Sequence, residues 1–98
     1  MHVQKSIGQW GDEAFGPVRD PMALVDRARL ELAELADAVN AGEVAEIGSE
    51  IADVAILLYR LADQFGLDLD AQVRGKMEIN RARRWSASGD GTGRHQVD

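Results

Sequence analysis

Four carboxylates in this chain are placed where charge is costly. Glu31 and Glu34 form one pair at i, i+3 spacing, and Glu50 and Asp53 form a second. Each pair falls in a segment with the apolar periodicity of a long amphipathic helix. Taking about 100° of rotation per residue, Leu24, Ala28, Leu32, Leu35 and Val39 make the apolar stripe of the first of these helices. Glu31 lies at its edge, roughly 20° beyond Leu24, and Glu34 about 60° further round. In the next helix Ile47, Ile51, Val54, Leu57, Leu58, Leu61 and Phe65 form the stripe. Glu50 falls inside it, and Asp53 sits at its border. An ionised carboxylate on an apolar face needs a cation or several donors to compensate it. With no cysteine and only two histidines in the chain, an all-oxygen donor set points to a hard cation, Mg²⁺ first, of the kind that bridges carboxylates to substrate phosphates. One carboxylate not committed to metal would be free for general-base work.

The elements that must hold these groups are helices. A first helix is expected over about His2 to Phe15, carrying Ile7, Trp10, Ala14 and Phe15 at helical spacing and interrupted by Gly8 and Gly11. The second starts at Asp20-Pro21, an N-cap followed by proline, and ends at Gly42. The third runs from about Glu43 to Phe65 and stops at Gly66. A fourth begins after Asp68 or Asp70 and reaches about Trp85. Ser86 to Asp98, with three glycines and no periodicity, reads as a loop or flexible tail. No strand signal is present. The expected class is all-α: one domain over residues 1–98 with its core at about 20–85. The short Asn40-Ala41-Gly42 link makes the second and third helices antiparallel neighbours, which lets their acid pairs face one another. Ile56 and Tyr59 point away from the main stripe of the third helix. In a chain of 98 residues a second copy is the simplest cover for them, giving a homo-oligomeric four-helix bundle.

A net charge of −6 argues against a nucleic-acid polymer as partner, and no apolar run is long enough to span a bilayer. Both point to the cytoplasm. The charge is uneven: residues 26–70 are mostly acidic, whereas Arg74, Lys76, Arg81, Arg83 and Arg84 follow. Such a basic segment suits either the far end of a polyphosphate or salt bridges between subunits. A di-iron carboxylate bundle is disfavoured, because neither His2 nor His95 supplies the Glu-x-x-His arrangement. A non-catalytic helical interaction module is the competing reading, and the acid within the apolar stripe at Glu50 speaks against it.

The pattern Glu31-x-x-Glu34, fifteen intervening residues, then Glu50-x-x-Asp53, within "LELAELADAV" and "EIGSEIADVAILLYRLADQFGLDL", resembles the MazG-like all-α nucleoside triphosphate pyrophosphohydrolases. The flanking "WGDEAFGP" and "KMEINRARRW…GDGTGRH" are similar to its phage-associated purine deoxynucleotide branch, the dATP/dGTP diphosphohydrolases of MazZ type. That resemblance implies hydrolysis of a (deoxy)nucleoside triphosphate, dGTP or dATP, to the monophosphate and pyrophosphate. It also implies Mg²⁺ or Mn²⁺ dependence, a homodimer or tetramer, and the host cytoplasm for a phage-encoded protein. Glu31, Glu34, Glu50 and Asp53 would be the metal ligands, with Glu34 or Glu50 acting on the attacking water. Lys76, Asn80 and Arg83, which share a helix face, would meet phosphates or sugar. Trp10 would stack on the base, unless it anchors the first helix in the core, and His95 would contact the substrate. Leu30 stands where many relatives carry a further glutamate.

Overall fold

The computed structural model describes residues 3–96. Four helices follow one another: α1 (Val3–Phe15), α2 (Met22–Ala41), α3 (Val44–Gln64) and α4 (Leu69–Ala82). Two short strands, β1 (Trp85–Ala87) and β2 (Gly93–His95), close the described chain. His2, expected at the start of α1, lies outside the described residues.

The helix ends have local causes. Asp20 Oδ1 accepts a hydrogen bond from Met22 N at 3.0 Å, so the aspartate caps α2 across the intervening proline. Gly42 and Gly66 adopt φ of 70° and 66°, left-handed conformations that glycine takes without a Cβ clash, and they terminate α2 and α3. Asp68 Oδ1 accepts from Ala71 N at 3.1 Å and starts α4.

The tight turn at Gly42 folds α3 back along α2, and this antiparallel pair is the body of the domain. The buried line of α2 is Leu24, Ala28, Glu31 and Ala38, with Leu35 half-buried between them. The stripe is therefore rotated from the expected one. Leu32 and Val39 are exposed, and Glu31 lies within the buried line rather than at its edge. Packing chose the small residues, because Ala28 and Ala38 let the backbones approach. On α3 the buried residues are both charged, Glu50 and Arg60.

α1 packs on α3 through an unexpected face. Gln4, Gly8 and Gly11 are its buried residues, while Phe15, expected in the core, is 70% exposed. The two glycines that weaken the helix in isolation give α3 side chains room. A Cβ on Gly8 would stand 2.7 Å from Asp63 Oδ2, and one on Gly11 would overlap the Arg60 guanidinium. Gln4 ties the α3–α4 turn: its Nε2 donates to Leu67 O at 2.6 Å and its Oε1 accepts from Leu69 N at 2.8 Å. Tyr59, expected to face a second copy, instead donates its hydroxyl to Asp70 Oδ1 at 2.8 Å and holds α4 to α3. That carboxylate raises the Tyr59 pKa.

The tail also differs from the expected loop. β1 and β2 pair antiparallel, with Trp85 opposite His95 and Ala87 opposite Gly93. The intervening turn is held by Asp90 Oδ1, which accepts from Thr92 N and Thr92 Oγ1. Trp85 Nε1 donates to Asn80 O at 2.7 Å, which ties the hairpin to the end of α4. Three-residue strands are too short to leave an alternating pattern.

The chain buries little apolar surface. Leu24, Ala28 and Ala38 are the buried hydrophobic residues among those described. The exposed area is 7350 Å², against roughly 5,500 Å² for a compact monomer of this mass. The radius of gyration is 16.1 Å, against about 12.6 Å for a compact domain of this length. Among the uncovered apolar residues, Leu32 and Val39 share one line of α2, and Ile51 and Leu58 share one line of α3.

Gln4→Ala should leave Leu67 O and Leu69 N without their partner and cost about 1–3 kcal/mol of stability, read by urea unfolding. An unchanged midpoint would show that the clamp contributes nothing.

Candidate metal and nucleotide site

The α2–α3 pairing brings the two acid pairs together. Glu31, Glu50 and Asp53 each offer a carboxylate oxygen, and the three lie within 4.8 Å of one another. Glu31 is 7% exposed and Glu50 8%; Asp53 is half-buried. Arg27 Nη2 donates to Glu31 Oε1 at 3.0 Å, one turn away on the same helix. The second oxygens, Glu31 Oε2 and Glu50 Oε2, are buried without any hydrogen-bond partner. Buried carboxylate oxygens without donors are costly, and one arginine does not balance three acids. Oxygen donors converging in this way suit a divalent hard cation, so the residues present fit such an ion.

Glu34 stands beside this cluster and outside its closest group. Its side chain is exposed. A hydrogen bond with Glu31, and then the charge of that neighbour, raise its pKa, while Arg27 opposes the shift. Glu50 is raised further, to about 7, chiefly by burial and then by a hydrogen bond with Glu46 and the charge of Glu34.

The cluster borders a cleft of about 820 Å³. Glu31 and Asp53 form one part of its wall. Leu24, Ile56 and Leu57 continue it, and Trp10, Phe15 and Arg60 line another part, with the Gly16–Asp20 segment alongside. Trp10 is 52% exposed and meets Phe15 edge-on, ring centroids 5.4 Å apart at 86°. At that exposure it is no core anchor. Ile56, expected to face a second subunit, lines this cleft.

The remaining expected substrate residues lie elsewhere in the chain. Lys76, Asn80 and Arg83 are on or just after α4, and His95 is on β2, packed at 5.9 Å against Trp85. None lines the cleft. Lys76 and His95 are exposed, and Asn80 and Arg83 half-buried. Asn80 Oδ1 is buried and unpartnered.

Three residues escaped the sequence reading: Arg27, Glu46 and Arg60. Each had a positional signal. Arg27 precedes Glu31 by one turn, Glu46 precedes Glu50 by one turn, and Arg60 follows Asp53 by two turns on the same line of α3.

A family model described as phosphoribosyl-ATP pyrophosphohydrolase matches residues 20–78. A dATP/dGTP diphosphohydrolase of Salmonella phage PMBT28 is 41% identical over 98 residues, covering 98% of this chain. This chain spans only 31% of that protein's length. A dATP/dGTP diphosphohydrolase of Cyanophage S-2L is 34% identical over 93 residues, 95% of this chain and 84% of the relative. Among solved structures, a Cyanophage S-2L MazG-like pyrophosphohydrolase bound to dGDP and three catalytic Mn²⁺ ions per active site superposes with a TM-score of 0.77. It is 32% identical, over 97% of this chain and 90% of that one.

Because the Glu50 pKa is about 7 in the folded chain against 4.5 for an ordinary glutamate, the fold binds that proton more tightly than the unfolded chain does. Stability from this group is complete below pH about 4.5 and is lost as pH rises through about 7. Thermal unfolding of the metal-free protein should therefore move to lower temperature across that window, and Glu50→Gln should flatten the change. A midpoint that climbs from pH 5 to 7.5 in the wild type would contradict this account.

Proposed function

This chain belongs to the MazG-like, phosphoribosyl-ATP pyrophosphohydrolase family, and from that premise we propose that it is a Mg²⁺-dependent pyrophosphohydrolase of purine deoxynucleoside triphosphates, dGTP or dATP, with Mn²⁺ as a substitute metal. The buried, unpartnered oxygens of Glu31 and Glu50 beside Asp53, with Glu31 and Asp53 on the wall of a cleft that has an aromatic part, carry the reading. They call for cations in the place where a polyphosphate could lie, with Trp10 placed to stack on a base. The dGDP and Mn²⁺ of the cyanophage structure support the same class of ligand.

Glu31, Glu50 and Asp53 hold the metal, with Glu34 as a further ligand or base at their side. Divalent ions bound there would draw charge off the phosphates and acidify the attacking water. Glu34 is the carboxylate best placed for the proton, being outside the tight cluster and exposed to solvent. Water oxygen attacks the α-phosphorus, its proton passes to the Glu34 carboxylate, and the bond from the α-phosphorus to the bridging oxygen breaks. The products are the monophosphate and pyrophosphate. Glu50, buried beside Glu31 and Asp53, serves as a ligand rather than as the base. Arg27 fixes Glu31 through its ion pair.

Lys76, Asn80, Arg83 and His95 bind phosphate or sugar when a second copy of the chain brings α4 and the hairpin to the cleft. The uncovered Leu32, Val39, Ile51 and Leu58, and the excess exposed surface, support such a homodimer or dimer of dimers. The interaction-module reading leaves Glu50 unexplained. No described helix is long and apolar enough to cross a membrane; the host cytoplasm, where the substrate pool is, is the proposed site of action.

Pyrophosphate release with Mg²⁺ from dGTP and dATP should fall by about 10²–10⁴ in kcat for Glu34→Gln, with a smaller change in KM. Glu50→Gln should also raise the Mg²⁺ concentration needed for half-activity. A folded wild type that releases no pyrophosphate from any common nucleotide would sink the proposal. Subunit sharing has its own check: inactive Glu50→Gln and inactive Lys76→Ala proteins, refolded together, should regain part of the activity. No recovery from mixed subunits would place Lys76 beside the acids of its own chain, or outside the site.

A further inference from the structure

Arg60 is the second buried charge of α3, at 8% exposure, and the metal chemistry does not use it. Its guanidinium lies over the Phe15 ring, with Cζ 5.6 Å from the centroid. It makes no ion pair and donates no hydrogen bond among the described residues. Its guanidinium therefore has no protein acceptor, and it borders the cleft, where an acceptor on a ligand can reach it. The chain has made a seat for it: Gly11 lies against the guanidinium, and any Cβ there would overlap Arg60. Arg60 also lines the cleft with Trp10 and Phe15. It sits seven residues beyond Asp53 on α3, about 10.5 Å along the axis. Asp53 belongs to the carboxylate cluster, so Arg60 is displaced from the phosphates towards the other end of a nucleotide.

What this seat lacks is an acceptor pair for a planar fork. The paired acceptors O6 and N7 of guanine match an arginine fork, whereas adenine offers N7 beside an N6 amino group that is itself a donor. We propose that Arg60 reads the base, donating to O6 and N7 of a 6-oxopurine stacked by Trp10, and so favours guanine over adenine within the purine class. The inference rests on the nucleotide reading above. Adenine keeps one bond, to N7, so it is accepted less well rather than excluded.

The test is the ratio of kcat/KM for dGTP over dATP, with dITP and 7-deaza-dGTP as probes of O6 and N7. The wild type should prefer dGTP and dITP, and 7-deaza-dGTP should lose ground. Arg60→Met should lower the dGTP-to-dATP ratio by about 10- to 100-fold, the discrimination of one bidentate pair. Arg60→Lys, which keeps the charge but loses the fork, should lower it too. Gly11→Ala gives the same readout without altering the arginine, by filling its seat, and serves if Arg60→Met does not fold as judged by thermal melting. An unchanged ratio, or equal loss on both substrates in a folded variant, overturns the proposal.

Binding of dGMP and dAMP, followed by calorimetry without turnover, separates this inference from the hydrolase reading. Preference for dGMP that depends on Arg60, in a protein releasing no pyrophosphate, would keep the base reader and discard the hydrolase. Pyrophosphate release with a ratio indifferent to Arg60 would do the reverse. Binding of neither nucleotide, together with no hydrolysis, would discard both.

Discussion

Like charges held close together, away from water, govern this structure. Glu31, Glu50 and Asp53 converge within 4.8 Å, with Glu34 beside them and Arg27 as the cation bonded to the group. Such a cluster opposes the helix pairing that creates it. The chain tolerates it because Gly42 makes the turn between α2 and α3 short, and because Ala28 and Ala38 let the backbones approach. The strain shows chemically: burial and neighbouring charge hold Glu50 protonated up to about pH 7, and Glu31 keeps the Glu34 carboxyl above the usual carboxylate range. A cation bound there would relieve what the fold imposes, and its binding would be linked to the stability of the α2–α3 pair.

The cleft follows from the way α1 is attached. A helix with large residues on its buried face would stand off from α3. Gln4, Gly8 and Gly11 let it lie close, and this closeness leaves Trp10 and Phe15 on the cleft side instead of in a core. The helix then presents an aromatic wall in the same cleft as the acids, with Arg60 passing beneath through the space at Gly11. Glycines that lower helix propensity thus shape the binding surface.

The same economy leaves the chain thinly packed. Three buried hydrophobic residues among those described and an extended outline of 46 × 35 × 26 Å describe a unit whose α4 and hairpin reach away from the α2–α3 body. Tyr59 to Asp70 and the Gln4 clamp fix where that arm leaves the body. An arm held by a few polar bonds suits an element that packs on another copy.

The sequence by itself determined the four helices, their ends at Gly42 and Gly66, and the carboxylate pairs, because helix periodicity, capping and i, i+3 spacing are local properties. It also located Glu50 inside a buried face, since an acid among Ile and Leu at helical phase has no other place to go. Which face of each helix is covered was a tertiary decision. Leu32, Val39 and Phe15 match a core pattern as well as Ala38 and Gly11 do, and only the approach distance between packed helices selects the small residues. The hairpin at Trp85–His95 depends on pairing between strands too short to leave a pattern. Arg60 depends on Gly11, about fifty positions away: a buried cation against a glycine of another helix is a contact across the fold, and no spacing within either helix encodes it.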